Sequence, residues 1–163
     1  MRVRTAALGS ALFFAVAPGM VVGLVPWWLT RWVPGPAPIA LRVLGALMVV
    51  IGLPVLVSAF ARFVRDGLGT PAPIAPTEHL VVTGAYRHVR NPMYLAVLSA
   101  ILGQALLLGR PVLLEYAIGV AVMVVGFVRL YEEPALQRQF GAQYEAYCRA
   151  VPGWWPRLRP WTS

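Results

Sequence analysis

The chain contains few cysteine, histidine or acidic residues. Its 163 residues include one cysteine, two histidines and six acidic residues, and only 12% are charged. Cys148 is alone and cannot form an internal disulfide, and His79 and His88 are separated by a turn-rich segment. Structural metal sites need several such ligands. The sequence therefore predicts neither a metal site nor a disulfide framework.

Apolar residues dominate what is present. They make up 59% of the chain, and the mean hydropathy is +0.69. A bilayer core about 30 Å thick needs about 20 apolar residues of helix. Four stretches come near this length, at residues 6–29, 39–61, 93–108 and 112–131. The pattern predicts an all-α integral membrane bundle of about four transmembrane helices, followed by an interfacial amphipathic helix.

The first stretch could also be a secretory signal, because Arg2 and Arg4 precede it and residues 15–17 are small. Its apolar run continues as far as Trp28, which is too long for a signal core, and Pro18 would follow the cleavage point directly. We therefore expect a spanning helix that is kinked at Pro18.

All 14 basic residues are arginines, and together with the six acidic residues they give the net charge of +8. In a four-span arrangement only Arg31, Arg42 and Arg110 fall on one side, and the other eleven fall on the opposite side. Cytoplasmic loops carry an excess of arginine. We therefore expect both termini and the 62–91 loop in the cytoplasm, with the chain in a plasma membrane of bacterial inner-membrane type. Arginines placed in this way indicate a lipid bilayer as partner, not nucleic acid.

The chain is predicted to form one domain. Its parts are two N-terminal spans (1–61), a cytoplasmic loop (62–92), a helical hairpin (93–131) and a C-terminal segment (132–163). The short turn Gly109-Arg110-Pro111 requires the third and fourth spans to be antiparallel. The middle loop contains several prolines and cannot be helical throughout, but its residues 80–82 are apolar and are expected to pack against the helices.

The C-terminal segment has apolar residues at helical spacing. These residues are Leu136, Phe140, Tyr144, Tyr147 and Val151. They predict one amphipathic helix at the cytoplasmic interface. Tryptophans follow it at positions 154, 155 and 161, and they suit the lipid headgroup layer.

Two polar groups could be structural or functional. Asn91-Pro92 could simply start the third span, as N-cap and first helical residue. The same helix N-terminus, with Arg90 before it, could also bind the carboxylate of a small molecule. Glu132 and Glu133 could be solvated beside Arg129, or could hold an ammonium group or ribose hydroxyls. Since adjacent helical residues point about 100° apart, at most one glutamate should face the bundle interior.

Taken in order, these segments resemble the isoprenylcysteine carboxyl methyltransferase and phospholipid methyltransferase superfamily of membrane enzymes. The resemblance covers roughly residues 80–156. Leu-Val-x-x-Gly-x-Tyr leads into Arg-Asn-Pro-x-Tyr at 80–94, and the acidic pair follows one hairpin later. Phe-Gly-x-x-Tyr-x-x-Tyr then occupies 140–147, and Val-Pro closes the pattern at 151–152.

The resemblance implies a methyltransferase that binds S-adenosylmethionine in a cytoplasmic pocket and takes a lipid-like or amphipathic acceptor from the bilayer. It assigns catalytic contacts to Arg90 and Arg149. It places in the cofactor site Leu80, Val81, Tyr86, Arg90, Asn91, Pro92, Tyr94, Glu132 and Glu133.

Three departures from the family pattern leave the acceptor open. Many eukaryotic members have histidine in place of Asn91. The prenylcysteine enzymes have an arginine immediately before Val-Pro, where this chain has Ala150 and places Arg149 one residue earlier. The phospholipid N-methyltransferases carry Gly-x-Gly where this chain has Gly103-Gln104-Ala105.

Carboxylate methylation of a prenylcysteine and N-methylation of a phospholipid therefore both remain open. An NADPH-dependent membrane reductase and a non-enzymatic helical scaffold are the alternatives from other classes.

Overall fold

The structure is a computed structural model that describes residues 12, 16–67 and 79–162. This part of the chain is helical and contains no β-strand, which confirms the all-α prediction. The helices are α1 (Val16–Thr30), α2 (Ile39–Gly67), a 3-10 helix (Gly84–Arg87), α3 (Pro92–Leu108), α4 (Val112–Phe127), α5 (Glu133–Phe140) and α6 (Ala142–Ala150).

Two helical segments of the described residues are long and apolar enough to cross a membrane. One is Ile39–Arg62 in α2, and the other is Val112–Phe140, in which α4 continues through a π-helical turn into α5. The apolar helices α1 and α3 are shorter. The start of the first predicted span lies mostly outside the described residues. The structure thus supports two spanning helices, and the four-span arrangement stays a prediction.

A π-helical turn, Gly19–Leu24, follows Pro18 in α1. Its wider turn presents backbone carbonyl groups to the neighbouring helices. The Tyr116 hydroxyl donates to the carbonyl of Val21 at 2.9 Å, and the Gln104 amide donates to that of Val22 at 2.8 Å. These bonds attach α1 to α4 and α3.

Helices α2 and α3 form the most extensive packing in the bundle. They meet at two glycines, since a Cβ at Gly103 would lie 2.8 Å from the Gly45 carbonyl oxygen. Such small residues allow membrane helices to approach closely. Gly103, the one glycine of the Gly103-Gln104-Ala105 sequence, therefore serves helix packing in this protein.

The two ends of the bundle carry different arginines. At one end the Arg42 guanidinium donates to the carbonyls of Gly35 and Leu107 at 2.6 and 3.1 Å. Gly109 lies at this end with φ +61° and terminates α3. Helix α3 ends at Leu108, α4 begins at Val112, and the two helices are in contact. At the opposite end the Arg62 side chain contacts Gly84.

The predicted C-terminal amphipathic helix is two helices. Gly141 separates α5 from α6 with φ +48° and ψ −122°, a backbone conformation that only glycine adopts easily. The predicted apolar face is present, but it packs against protein: Tyr144, Tyr147 and Val151 form a buried cluster with Leu80 and Val82. Residues 80–82 therefore fold back as expected.

The three C-terminal tryptophans differ in their surroundings. Trp154 packs against the core of the bundle. Trp161 lies 5.6 Å from Tyr147, measured between ring centroids. Trp155 is 81% exposed, so among the three it is the one whose ring is open to a headgroup layer.

Candidate active site

The wall of the site begins at the 3-10 helix, which turns the chain into α3. Gly84 has φ +56°, as its predicted place in a turn requires. Pro92 is the first residue of α3, as predicted. Asn91 occupies the N-cap position of α3, as one of the two interpretations required, but its side chain makes no capping bond, and its amide instead donates to the Gly153 carbonyl at 3.0 Å. Asn91 is 7% exposed and connects the start of α3 to the C-terminal segment.

Arg90 is the most connected polar side chain of the site. Its Nη1 donates to Glu133 Oε1 at 2.9 Å, to the Tyr144 hydroxyl at 3.2 Å and to Cys148 Sγ at 3.0 Å. Its Nε is buried and has no hydrogen-bond partner among the described residues. The buried N–H is thus available to an acceptor atom that this part of the chain does not provide.

The two adjacent glutamates bind different side chains. The Tyr94 hydroxyl donates to Glu132 Oε2 at 2.9 Å, while Glu133 forms an ion pair with Arg90 at 2.9 Å. The expected partner Arg129 is exposed and forms no ion pair among the described residues. Glu132 ends the π turn Val128–Glu132, and such insertions often occur at functional sites.

A cavity of about 320 Å³, the inner cavity, opens between α1, α3 and α4. Six of the nine predicted cofactor residues line it: Tyr86, Arg90, Asn91, Pro92, Tyr94 and Glu132. The rest of its wall is largely apolar and is formed by Ala17, Pro18, Val21, Leu56, Met93, Val97, Val120, Met123, Val124 and Phe127. The inner cavity therefore has a polar end and an apolar body.

A second cavity, the polar cavity, measures about 340 Å³. Arg90 lines both cavities, and the others around the polar cavity are Arg129, Glu133, Pro134, Gln137, Tyr144 and Cys148. Glu132 thus faces the inner cavity and Glu133 the polar cavity, as their angular separation led us to expect.

Three predicted site residues lie away from the inner and polar cavities, and Cys148 of the polar cavity was not predicted. Leu80 packs in the cluster around Tyr147, Val81 packs beside Tyr86, and neither lines a cavity described here. Arg149 is exposed on α6. Their assigned roles stay predictions. Cys148 was missed, although it lies four residues after Tyr144 and hence on the same helical face.

The segment after α6, residues 152–161, lies along the 87–91 wall, and we name it the C-terminal strap. The Arg90 amide donates to the Pro152 carbonyl at 2.9 Å, and His88 Nδ1 bonds the Arg157 carbonyl at 2.8 Å. Backbone amides of Arg157 and Trp161 return bonds to the carbonyls of His88 and Arg87, both at 2.9 Å. The strap therefore fixes the backbone from which Arg90 projects.

Burial keeps the phenols of the site neutral. It raises the pKa of Tyr86, with the charge of Glu132 acting in the same direction. Burial also raises the pKa values of Tyr144 and Tyr147, although Arg90 opposes both shifts. The Tyr147 hydroxyl consequently remains a donor, and it bonds the Tyr86 carbonyl at 2.6 Å.

Comparison with known families gives the class of the chain. The sequence model described as phospholipid methyltransferase matches residues 40–143, which is more than half of the chain. The search of curated proteins and the search of solved structures gave no match. The matched region includes α2 from its second residue, α3 to α5 and the 87–91 wall. The C-terminal strap lies after the matched region. The chain thus belongs to the phospholipid methyltransferase family and is a membrane methyltransferase.

Proposed function

We propose that the protein transfers a methyl group from S-adenosylmethionine to a lipid-like or amphipathic acceptor at the membrane. One observation carries this proposal. The inner cavity combines a polar end, formed by Arg90, Asn91, Tyr94 and Glu132, with an apolar body that faces the bundle. A soluble, charged methyl donor and an apolar acceptor require those two environments side by side.

The residues present fit S-adenosylmethionine. Its carboxylate needs donors, and Arg90 Nε is a buried N–H without a partner in the part of the chain that the structure describes. Its ammonium group and ribose hydroxyls need acceptors, which the Glu132 carboxylate offers. Ligand cavities usually measure about 300–1,000 Å³, so the inner cavity lies at the lower end of that range. Arg90 also lines the polar cavity, which offers further polar space.

The protein contributes positioning and the exclusion of water. Arg90 and the free amides at the start of α3 would orient the donor's carboxylate, and Tyr94 holds Glu132 in place for the donor's polar groups. When bound, S-adenosylmethionine supplies an activated methyl group, whose carbon–sulfur bond breaks with its electron pair left on sulfur as the acceptor's nucleophilic atom bonds the methyl carbon. The apolar walls keep water from this reaction.

Two acceptor classes fit, each favoured by a different observation. A phospholipid amine fits the family description. The nitrogen would lose a proton to solvent after methylation. A prenylcysteine carboxylate is favoured by Arg157, because its guanidinium donates to the Ala150 carbonyl, at the position where the prenylcysteine enzymes carry arginine.

We also propose that the end of the bundle with Arg62, Arg87 and Arg90 faces the cytoplasm. This follows from the excess of arginine on that side in a four-span arrangement. It also places the polar cavity, which Arg90 lines, where a soluble methyl donor is available.

The proposal is tested first by calorimetric titration of the purified protein in detergent. We expect binding of S-adenosylmethionine and its demethylated product, but not of NADPH. Binding of NADPH alone would favour a reductase, and binding of none would favour a scaffold.

A transfer assay with methyl-labelled S-adenosylmethionine then separates the acceptors. Lysophosphatidylethanolamine and S-farnesylcysteine serve as probes. Label that alkali releases as methanol indicates a methyl ester, whereas label that resists alkali indicates an N-methyl product.

A further inference from the structure

A third cavity, the outer cavity, lies between α1, α2 and α3 and measures about 620 Å³. Its walls are apolar except at Gln104, whose amide already donates to the carbonyls of Val22 and Ala100. The residues that line it are Pro18, Gly19, Val22, Gly23, Trp32, Val49, Leu53, Leu56, Val57, Gln104, Leu107 and Leu108. Its composition suits a hydrocarbon chain.

The outer and inner cavities share two lining residues, Pro18 and Leu56. Leu56 is 3% exposed and packs in the main core cluster with Val97 and Val120. On α2 the outer cavity extends from Val49 to Val57, about 12 Å at 1.5 Å per residue, and Leu56 is the residue of this helix that reaches the inner cavity. Leu56 and Pro18 therefore form the partition between the two spaces.

The two cavities lie one after the other along α3. The inner cavity follows the start of α3 from Asn91 to Val97, and the outer cavity follows its end from Gln104 to Leu108. From Asn91 to Leu108 is about 25 Å along the helix, close to the thickness of a bilayer core. A chain that starts at the polar end of the inner cavity would meet the partition part of the way along this path.

We propose that Leu56, together with Pro18, limits the length of the acceptor's apolar chain. This inference rests on the proposed function and names the part of the acceptor that the site measures. The acceptor's head meets the donor's methyl group where the polar end of the inner cavity joins the apolar body, and the alkyl or prenyl chain fills that body as far as Leu56. Longer chains are disfavoured because their ends would have to displace a fully packed side chain.

The test varies the partition in both directions. Leu56→Ala should join the two cavities and favour long chains, while Leu56→Phe should close the inner cavity further and favour short ones. Leu53→Ala is the matched control, because Leu53 lies one turn earlier on α2 and lines the outer cavity but not the inner cavity. Each protein is offered an equimolar mixture of lysophosphatidylethanolamines with chains of 10 to 18 carbons.

Two readouts are compared: the bound lipids by native mass spectrometry and the methylated products of the same mixture. For each methylene newly accommodated, Leu56→Ala should raise the ratio of long to short chains about fourfold, equivalent to about 0.8 kcal/mol. Leu56→Phe should lower the ratio, and Leu53→Ala should leave it unchanged.

Several outcomes would overturn the inference. An unchanged ratio in Leu56→Ala, or the same shift in Leu53→Ala, would show that Leu56 does not limit the chain. If Leu56→Ala does not fold, an unchanged ratio in Leu56→Phe decides against it. Absence of methyl transfer in every protein would count against the proposed function alone, because the bound-lipid ratio still tests the partition.

Discussion

At the scale of single residues, Arg90 is held by the protein and yet keeps one buried N–H unpaired. We expect Arg90→Ala and Arg90→Lys each to weaken S-adenosylmethionine binding at least tenfold, or about 1.4 kcal/mol. Lysine should fail because an ammonium group cannot reproduce the planar guanidinium fork. Calorimetry of folded, monodisperse variants measures the effect.

The stability of these variants is the control. The ion-pair side chains of Arg90 and Glu133 are 19% and 33% exposed, and pairs near the surface contribute about 0–1 kcal/mol. Thermal unfolding should therefore change little. Full affinity and turnover in Arg90→Ala would require the clamp assignment to be withdrawn.

The two glutamates give a second prediction. Glu132 lines the inner cavity and Glu133 pairs with Arg90 beside the polar cavity. We expect Glu132→Gln to weaken donor binding by about 1.5–3 kcal/mol, the usual contribution of a hydrogen bond to a charged group. Glu133→Gln should have a smaller effect, because it acts through Arg90. Equal losses in calorimetric titrations of the two variants would contradict this order.

The sequence predicts those site residues whose role depends only on the backbone conformation of their immediate neighbours. Pro92 at the start of α3 and Gly84 in its turn follow from backbone rules. The role of Asn91 could not be found in this way, because its partner Gly153 is 62 residues further along the chain. An asparagine before a helix has the same local sequence whether its side chain caps that helix or donates to a residue far along the chain.

At the scale of helices and turns, Gly141 sets the angle between α5 and α6. Its φ of +48° and ψ of −122° are strained for any residue with a side chain. No neighbouring atom would lie within 4 Å of an added Cβ, so the cost of Gly141→Ala is conformational. We expect a loss of about 1–3 kcal/mol, measured as lower thermal stability in detergent.

Gly119→Ala is the matched control for this prediction. Gly119 lies in α4 and an added Cβ would also meet nothing within 4 Å. Alanine is favoured over glycine inside a helix by about 0.5–1 kcal/mol, so this variant should be neutral or slightly more stable. Equal destabilisation of the two variants would show that the backbone at Gly141 is not the cause.

The C-terminal strap gives a prediction for hydrogen exchange. The amides of Arg157 and Trp161 donate to backbone carbonyls of the 87–91 wall, whereas the Leu158 amide has no hydrogen-bond partner among the described residues and its side chain is 98% exposed. We expect the first two amides to exchange slowly in mass spectrometry resolved to single residues, with Leu158 as the fast internal reference. Equally fast exchange at all three positions would contradict the strap.

Some elements could be predicted and others could not. The hairpin followed from Gly109-Arg110-Pro111, since so short a turn leaves one geometry. The break at Gly141 was missed, because the apolar spacing from Leu136 to Val151 continues across it. The π turns at Gly19–Leu24 and Val128–Glu132 were also missed, because the apolar runs in which they lie contain no signal that separates a π turn from an α-helical turn.

At the scale of the whole molecule, orientation in the membrane is open to a labelling test. In a Cys148→Ser background, we expect a cysteine at His79 to resist an impermeant thiol reagent in intact cells. A cysteine at Val33, near the Arg42 end, should react. Both positions are exposed. Labelling at His79 from outside would overturn the cytoplasmic placement of the site.

The backbone contact between Gly45 and Gly103 has a mechanical consequence. With no side chains between them, the backbones of α2 and α3 lie in direct contact at this point, far from Arg90. We therefore expect ligand entry without separation of these two helices. Helix α1 is attached to α3 and α4 through side-chain bonds to the Val22 and Val21 carbonyls, so we expect α1 to move before α2 and α3 part.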